Sequence, residues 1–185
     1  MRILIVYGTT EGHTRELSAF AAAALREAGH DALAAEAVGQ HETIDLAGWD
    51  AVIVAASLHV GRYQPAVVDY VRADHVALAR LPNAFISVSL SAAGANPDDW
   101  EGLEQCVAKF EQETLWKPDL VYHAAGAIRY SHYHFLKRLA LKFIARQRGK
   151  ETVTSRDYDL TDYDSLKRFV LNFAAGAAGS KPKAA

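Results

Sequence analysis

The chain has 185 residues, of which 50% are apolar and 23% charged, a balance typical of one globular domain with a substantial core. Its formal net charge of −2 provides no overall attraction to nucleic acid. The single cysteine, Cys106, excludes an intrachain disulfide and a cysteine metal cluster, and no signal peptide or long apolar run is visible, so we expect a cytoplasmic protein.

Five short apolar segments predict strands of a buried sheet, because they are rich in small and branched residues. They are Ile3–Tyr7, Asp31–Ala37, Ala51–Ala56, Asn83–Leu90 and Leu120–Ile128. Helical patterns lie between and after them, at about Gly12–Ala28, from Pro65, from Pro97 to about Leu115, and at about Asp162–Ala175. This alternation predicts an α/β fold with helices on both faces of a parallel sheet. We expect one domain over residues 1–176 and a flexible tail over 177–185.

The segment over residues 129–158 is longer than the connection between the last strand and the last helix requires. Arg129–Lys150 holds seven Lys and Arg and no acidic residue, which leaves 13 basic and 22 acidic residues elsewhere. From Tyr133 to Arg148 one helical face is apolar, and it is flanked by Lys137, Arg138, Lys142 and Arg146. The pattern favours a basic amphipathic helix in contact with an anionic membrane; packing of the apolar stripe on the sheet is the alternative.

Three loops follow predicted strands and therefore lie at the carboxyl edge of the sheet, where open α/β sheets bind ligands. They span residues 8–14, 57–63 and 90–98. The first enters a helix, whose free N–H groups favour an anion, and it carries the hydroxyls of Thr9, Thr10 and Thr14 beside Gly12. Because it lacks Gly-x-Gly-x-x-Gly and Gly-Lys-Ser/Thr, it predicts a phosphate monoester site. An ordinary threonine-rich turn is the alternative.

The segment Tyr-Gly-Thr-Thr-Glu-Gly-His-Thr, at 7–14, resembles the FMN phosphate loop of flavodoxins. Further segments, at 56–64, 85–90, 116–119 and 125–133, are similar to the flavodoxin-like, menaquinone-dependent protoporphyrinogen oxidases of bacteria. The resemblance extends from residue 1 to about 173 and includes the basic segment. It implies a flavodoxin-like three-layer sandwich with five parallel strands in the order 2-1-3-4-5. It also implies bound FMN and electron transfer from a porphyrinogen to a quinone at the inner face of the membrane.

The resemblance also implies where FMN is held. The phosphate contacts are Thr9, Thr10, Glu11, Gly12, His13 and Thr14, with Glu11 and His13 acting mainly through backbone N–H groups. Two further walls border the isoalloxazine ring: Ser57, Leu58, His59, Val60, Gly61 and Tyr63 on one side, and Ser89, Leu90, Ser91, Ala92, Gly94 and Asn96 on the other. Tyr63 or His59 is expected to stack on the ring; packing of Tyr63 on the following helix is the alternative.

The expected function is that of an FMN-dependent oxidoreductase in which the flavin carries the redox chemistry. His132 and His134 are candidates for proton transfer, with exposed surface histidines as the alternative, and no metal site is expected. Two other functions stay open. The chain could be a flavodoxin-type electron carrier between protein partners, or a non-catalytic module that binds membranes or anions.

Overall fold

The computed structural model describes residues 1–37, 44–128 and 158–179. Its centre is a parallel sheet of five strands. The strands are β1 (Arg2–Gly8), β2 (Asp31–Glu36), β3 (Ala51–Ser57), β4 (Asn83–Ser89) and β5 (Leu120–Ala125). The predicted strand order is confirmed: the strands lie in the order β2-β1-β3-β4-β5, so β1 lies between β2 and β3, and β3 is the central strand.

Helices cover both faces of the sheet. They are α1 (His13–Glu27), α2 (Pro65–Arg80), α3 (Pro97–Thr114) and α4 (Tyr163–Ala178). Alternate residues of β1 point to opposite faces: Ile3 and Ile5 pack under α1 and α4, while Leu4 and Val6 pack under α2 and α3. All four are fully buried, which explains the continuous apolar run of this strand. The three-layer sandwich is confirmed.

The helices begin in different ways. The Asn96 side chain caps α3 by accepting a hydrogen bond of 3.1 Å from the backbone N–H of Asp98. The Asp162 carboxylate caps α4 in the same manner, at 2.9 Å from the N–H of Ser165. Helix α1 instead follows Gly12, whose φ is 84°, and no side chain caps it. Its first N–H groups are therefore available to a ligand.

The predicted strand Leu120–Ile128 is wrong in its last three residues, which do not continue the main sheet. The parallel strand β5 ends at Ala125, and Gly126 then donates its N–H to the carbonyl of Ser89 at 2.9 Å. Beyond it, β6 (Ala127–Ile128) pairs antiparallel with β7 (Tyr158–Asp159). The chain leaves the main sheet at Gly126, so the predicted insertion 129–158 starts directly after β6 and its last residue belongs to β7. Residues 129–157 lie outside the described part.

The end of the domain also differs from the prediction. Helix α4 runs to Ala178, beyond the predicted start of the tail at residue 177. Ala177 is buried in the same apolar cluster as Phe173 and Ala174. Small residues suggested a tail, but alanine is the strongest helix former and continues the helix here. None of the described helices combines the length and the apolar character needed to cross a membrane.

Candidate functional site

A cavity of about 320 Å³ lies at the carboxyl edge of the sheet, between the loops that follow β1, β3 and β4. Twelve of the predicted contact residues line it: Thr9, Glu11, His13, Thr14, Ser57, Leu58, His59, Val60, Gly61, Ser89, Leu90 and Ser91. Val88, Gly126 and Ala127 line it as well and were not predicted. The sequence could have predicted Gly126 as a site residue, because it directly follows the neighbouring strand β5 at the same edge of the sheet.

One end of the cavity is built to receive an anion. Thr14, in the first turn of the uncapped helix α1, is almost fully buried, and its hydroxyl has no hydrogen-bond partner among the described residues. The neighbouring loop is held by the N–H of Gly12, which donates to the Thr9 hydroxyl at 2.9 Å. A buried unpaired hydroxyl is costly, and an acceptor-rich ligand would relieve that cost. Among the described residues no lysine or arginine lines the cavity, so the described groups that face this ligand are hydroxyl and backbone donors.

His13 joins this end of the cavity to the end of β5. Its Nε2 lies 2.9 Å from the hydroxyl of Thr161, and that hydroxyl donates to the carbonyl of Ala125 at 2.9 Å. Since the single hydroxyl proton is used there, we assign the proton of this contact to His13 Nε2. Two carboxylates face the imidazole, Glu16 at 3.6 Å from Nδ1 and Asp159 at 3.7 Å from Nε2. The His13 side chain therefore has a structural role, in addition to the phosphate contact predicted for its backbone N–H.

Gln64 connects the first loop with the second. Its Oε1 accepts from the N–H of Ser57 at 3.1 Å, and its Nε2 donates to the hydroxyls of Ser57 and Thr10. Thr10 does not line the cavity, because its hydroxyl is turned toward this amide. The phosphate contact predicted for Thr10 stays a prediction, since its hydroxyl accepts from Gln64 and keeps its own proton to donate. Gln64 belongs to the segment 56–64 that carries the family resemblance, but it was not predicted as a site residue.

Tyr63 does not face the cavity. Its side chain is buried in the core, where the ring lies edge-on to Phe85 and Phe110 at centroid distances of 5.1 and 5.0 Å. Its hydroxyl shares a hydrogen bond of 2.8 Å with Ser87, and burial raises the pKa of the phenol well above its usual value. The predicted stacking of Tyr63 on the ring is wrong; the side chain packs in the core, but its aromatic partners lie on β4 and α3 and not on the following helix α2.

The third wall is formed by Ser89, Leu90 and Ser91. The residues predicted after them maintain the loop and do not line the cavity. The N–H of Ala92 donates to Ser89 Oγ at 3.2 Å, and the carbonyl of Gly94 accepts from the Trp100 indole at 2.9 Å. Asn96 caps α3. Gly12 likewise shapes its loop through its positive φ and lies outside the lining set.

Several predicted residues lie outside the described part of the chain. They are His132, His134, Lys137, Arg138, Lys142 and Arg146. Their roles stay predictions; sedimentation of charge-reversal variants with anionic vesicles would test the membrane contact. Within residues 1–37, 44–128 and 158–179, no group of three or more His, Cys, Asp and Glu side chains is arranged to hold a metal ion.

A sequence profile described as Flavodoxin_5, flavodoxin domain, matches residues 4–155. The chain belongs to the flavodoxin family. It is 30% identical over 185 residues to a Leishmania major protein named protoporphyrinogen IX dehydrogenase [quinone], covering 99% of this chain and 80% of that protein. The protein of the same name from Escherichia coli K12 is 32% identical over 175 residues, with 94% and 95% covered. The resemblance noted in the sequence is confirmed.

A solved structure agrees with this assignment at the level of the fold. Oxidised flavodoxin 1 from Bacillus cereus superimposes with a TM-score of 0.55 and 12% identity, covering 95% of this chain and 98% of the other. FMN is the cofactor of the flavodoxin domain and therefore of this chain. The uncapped start of α1 and the unpaired Thr14 hydroxyl suit the phosphate monoester of FMN.

The flavodoxin domain has a second cavity, of about 520 Å³, on the α2 side. It is lined by Ile44, Asp45, Leu46, Ala47, Asp74, Ala77, Arg80 and Leu81, none of which was predicted as a site residue. Asp74 Oδ2 is buried there without a hydrogen-bond partner in the described residues, and this burial raises the pKa of the carboxyl group. The ionised form of Asp74 is thus less favourable in the folded state than in the unfolded state.

Replacing Asp74 with asparagine is expected to raise the melting temperature at neutral pH. A raised carboxyl pKa contributes stability below the unfolded value of about 4, and this contribution is lost as the pH rises through the folded pKa. The gain should therefore disappear in acid, in melting curves recorded from pH 3 to pH 7.5. Asp69→Asn is the control, because Asp69 pairs with Arg72 at 3.1 Å and should show no gain. A lower melting temperature for D74N at neutral pH would contradict the argument.

Proposed function

We propose that this flavodoxin-family chain is an FMN-dependent oxidoreductase that takes electrons from protoporphyrinogen IX and passes them to a quinone. Relatives with this activity in their names align with nearly the whole chain. The observation that carries the proposal is the cavity at the strand ends, where three loops surround an uncapped helix start and an unpaired buried hydroxyl. Such a site suits a phosphate-bearing cofactor with one side open to a second molecule.

The cavity suggests a role for each wall. Thr14 Oγ1 and the N–H groups of the first turn of α1 donate to the phosphate, and Thr9 and His13 border the same end. Ser57–Gly61 forms one wall of the ring site, and Ser89–Ser91 forms the opposite wall. Bound FMN supplies the two-electron redox chemistry between donor and acceptor. The chain binds, orients and shields the reacting groups.

The proposed reaction balances in steps of two electrons. Each step removes two electrons and two protons from the porphyrinogen, and one quinone takes up two electrons and two protons to give the quinol. Three such steps convert protoporphyrinogen IX to protoporphyrin IX. Because no side chain has to form a covalent bond with the substrate, catalytic residues in the narrow sense are not required.

The proposal is tested with purified protein loaded with FMN under anaerobic conditions. Protoporphyrinogen IX should bleach the flavin absorption at stoichiometric concentration, and a menaquinone analogue should restore it. Protein that cannot be loaded with FMN would contradict the cofactor site. A flavin that stays oxidised with the porphyrinogen, yet is reduced by a redox protein, would identify an electron carrier instead.

A further inference from the structure

The loop after β3 contains a tight hairpin at the edge of the cavity. His59 and Arg62 exchange two backbone hydrogen bonds, of 2.8 Å from His59 N to Arg62 O and 3.0 Å from Arg62 N to His59 O. Val60 and Gly61 form the turn, with φ angles of 49° and 74°. Positive φ at both central residues is the mark of a type I′ turn, the two-residue turn whose twist matches that of the flanking strands. The hairpin is therefore a locally determined element rather than a loose loop.

Val60 is an unusual residue for this turn. A β-branched side chain disfavours positive φ, and glycine, asparagine or aspartate normally occupies the position. Packing does not account for the valine, because 85% of its surface is exposed, the largest exposure among the large apolar residues described. Val60 nevertheless lines the cavity together with His59 and Gly61. A strained, exposed apolar residue at the rim of a binding cavity suggests contact with a molecule outside the chain.

The same hairpin carries an unpaired cation. Arg62 is exposed, and its guanidinium forms no ion pair or hydrogen bond with a described residue. Directly opposed residues of an antiparallel pair project to the same face, so Arg62 shares the face of His59, which lines the cavity. No lysine or arginine of the described residues lines the cavity itself, and Arg62 places a cation beside its rim.

We propose that the His59–Arg62 hairpin is the docking element for the electron donor, an apolar macrocycle that bears carboxylate groups. Val60 contacts the macrocycle, and the Arg62 guanidinium pairs with a carboxylate of the donor. This inference rests on the proposed function and adds to it the element that recognises the donor. Such a donor has an apolar ring system and carboxylate groups, and the hairpin offers an apolar residue beside a cation. Because Arg62 is exposed, we expect it to affect the association and orientation of the donor more than the binding of the cofactor.

The test measures the constants of holoprotein variants with two donors, the intact porphyrinogen and its dimethyl ester, in which the carboxylate charges are removed. For Arg62→Glu we expect the KM for protoporphyrinogen IX, and the Kd of protoporphyrin IX measured by its fluorescence, to rise about tenfold. Arg62→Gln should raise both about threefold. The KM for the dimethyl ester of the same porphyrinogen should change little. Lys117→Glu, at an exposed cation before β5 on the opposite edge of the sheet, is the matched control and should leave both constants unchanged.

Val60→Asn separates docking from a structural role. Asparagine tolerates positive φ, so the variant should be at least as stable as the wild type. It should nevertheless bind protoporphyrinogen IX and protoporphyrin IX more weakly. The Kd for FMN, measured in parallel, should stay within about twofold in the Arg62 and Lys117 variants, whose side chains do not line the cavity. Unchanged donor constants in Arg62→Glu, or a weakened FMN affinity in place of a weakened donor affinity, would overturn the docking proposal. Wild-type holoprotein that binds FMN but does not oxidise porphyrinogen would overturn the proposed function and the docking proposal with it.

Discussion

Replacing Thr14 with valine is expected to raise the Kd for FMN by about tenfold to a hundredfold, because a hydrogen bond to a charged group contributes about 1.5–3 kcal/mol. Valine has nearly the shape of threonine, so the buried packing of this position is preserved. In the apoprotein the Thr14 hydroxyl is buried without a described partner, and removing it eliminates that cost. The variant apoprotein should therefore be at least as stable as the wild type while binding the cofactor more weakly.

The measurement is a fluorescence titration with FMN and, separately, with riboflavin. Only the FMN affinity should fall, because riboflavin lacks the phosphate. Ser18→Ala is the matched control, since Ser18 lies one turn further along α1, has the same kind of unpaired buried hydroxyl, and does not line the cavity. Equal losses with the two flavins, or an equal loss in the Ser18 variant, would show that Thr14 does not contact the phosphate.

Gly8→Ala is expected to destabilise the fold by about 1–3 kcal/mol, the usual cost of overpacking a well-packed core. An added Cβ would lie 2.3 Å from Val67 Cγ2 and 3.4 Å from Gln64 Cβ. Val67 is fully buried and short, so its methyl group cannot move aside without displacing α2. Gly8 thus permits the close contact between the end of β1 and the helix that follows the hairpin loop.

Urea unfolding of single and double variants tests this contact. Val67→Ala alone should destabilise the protein by leaving a void, whereas the pair Gly8→Ala and Val67→Ala should lose less than the sum of the single effects. Gly102→Ala is the control, because a Cβ on this helical glycine meets no atom within 4 Å and should be neutral or stabilising. Additive losses in the double variant would contradict the proposed clash.

The site could be predicted only in part, and the errors have a common cause. The three loops were correctly placed at the cavity, because each follows a strand and the ends of parallel strands share one edge. Tyr63 and Thr10 were assigned to the cavity by their position in these loops. The structure turns Tyr63 into the aromatic core and Thr10 toward Gln64. The direction of a loop side chain depends on partners that no local pattern specifies.

The amino-acid sequence by itself determined the number of strands in the main sheet and their alternation with helices. It also showed that the first loop lacks the Gly-x-Gly-x-x-Gly motif of dinucleotide-binding folds. These properties follow from local periodicity and composition, because a strand buried on both faces must be apolar along its whole length. Only the tertiary structure decided that β5 ends at Ala125, that α4 continues to Ala178, and that Thr14 has no partner among the described residues beside the uncapped start of α1. The end of β5 depends on a residue distant in the chain, because the Ser89 carbonyl receives the Gly126 N–H, and such partners are brought together only by folding.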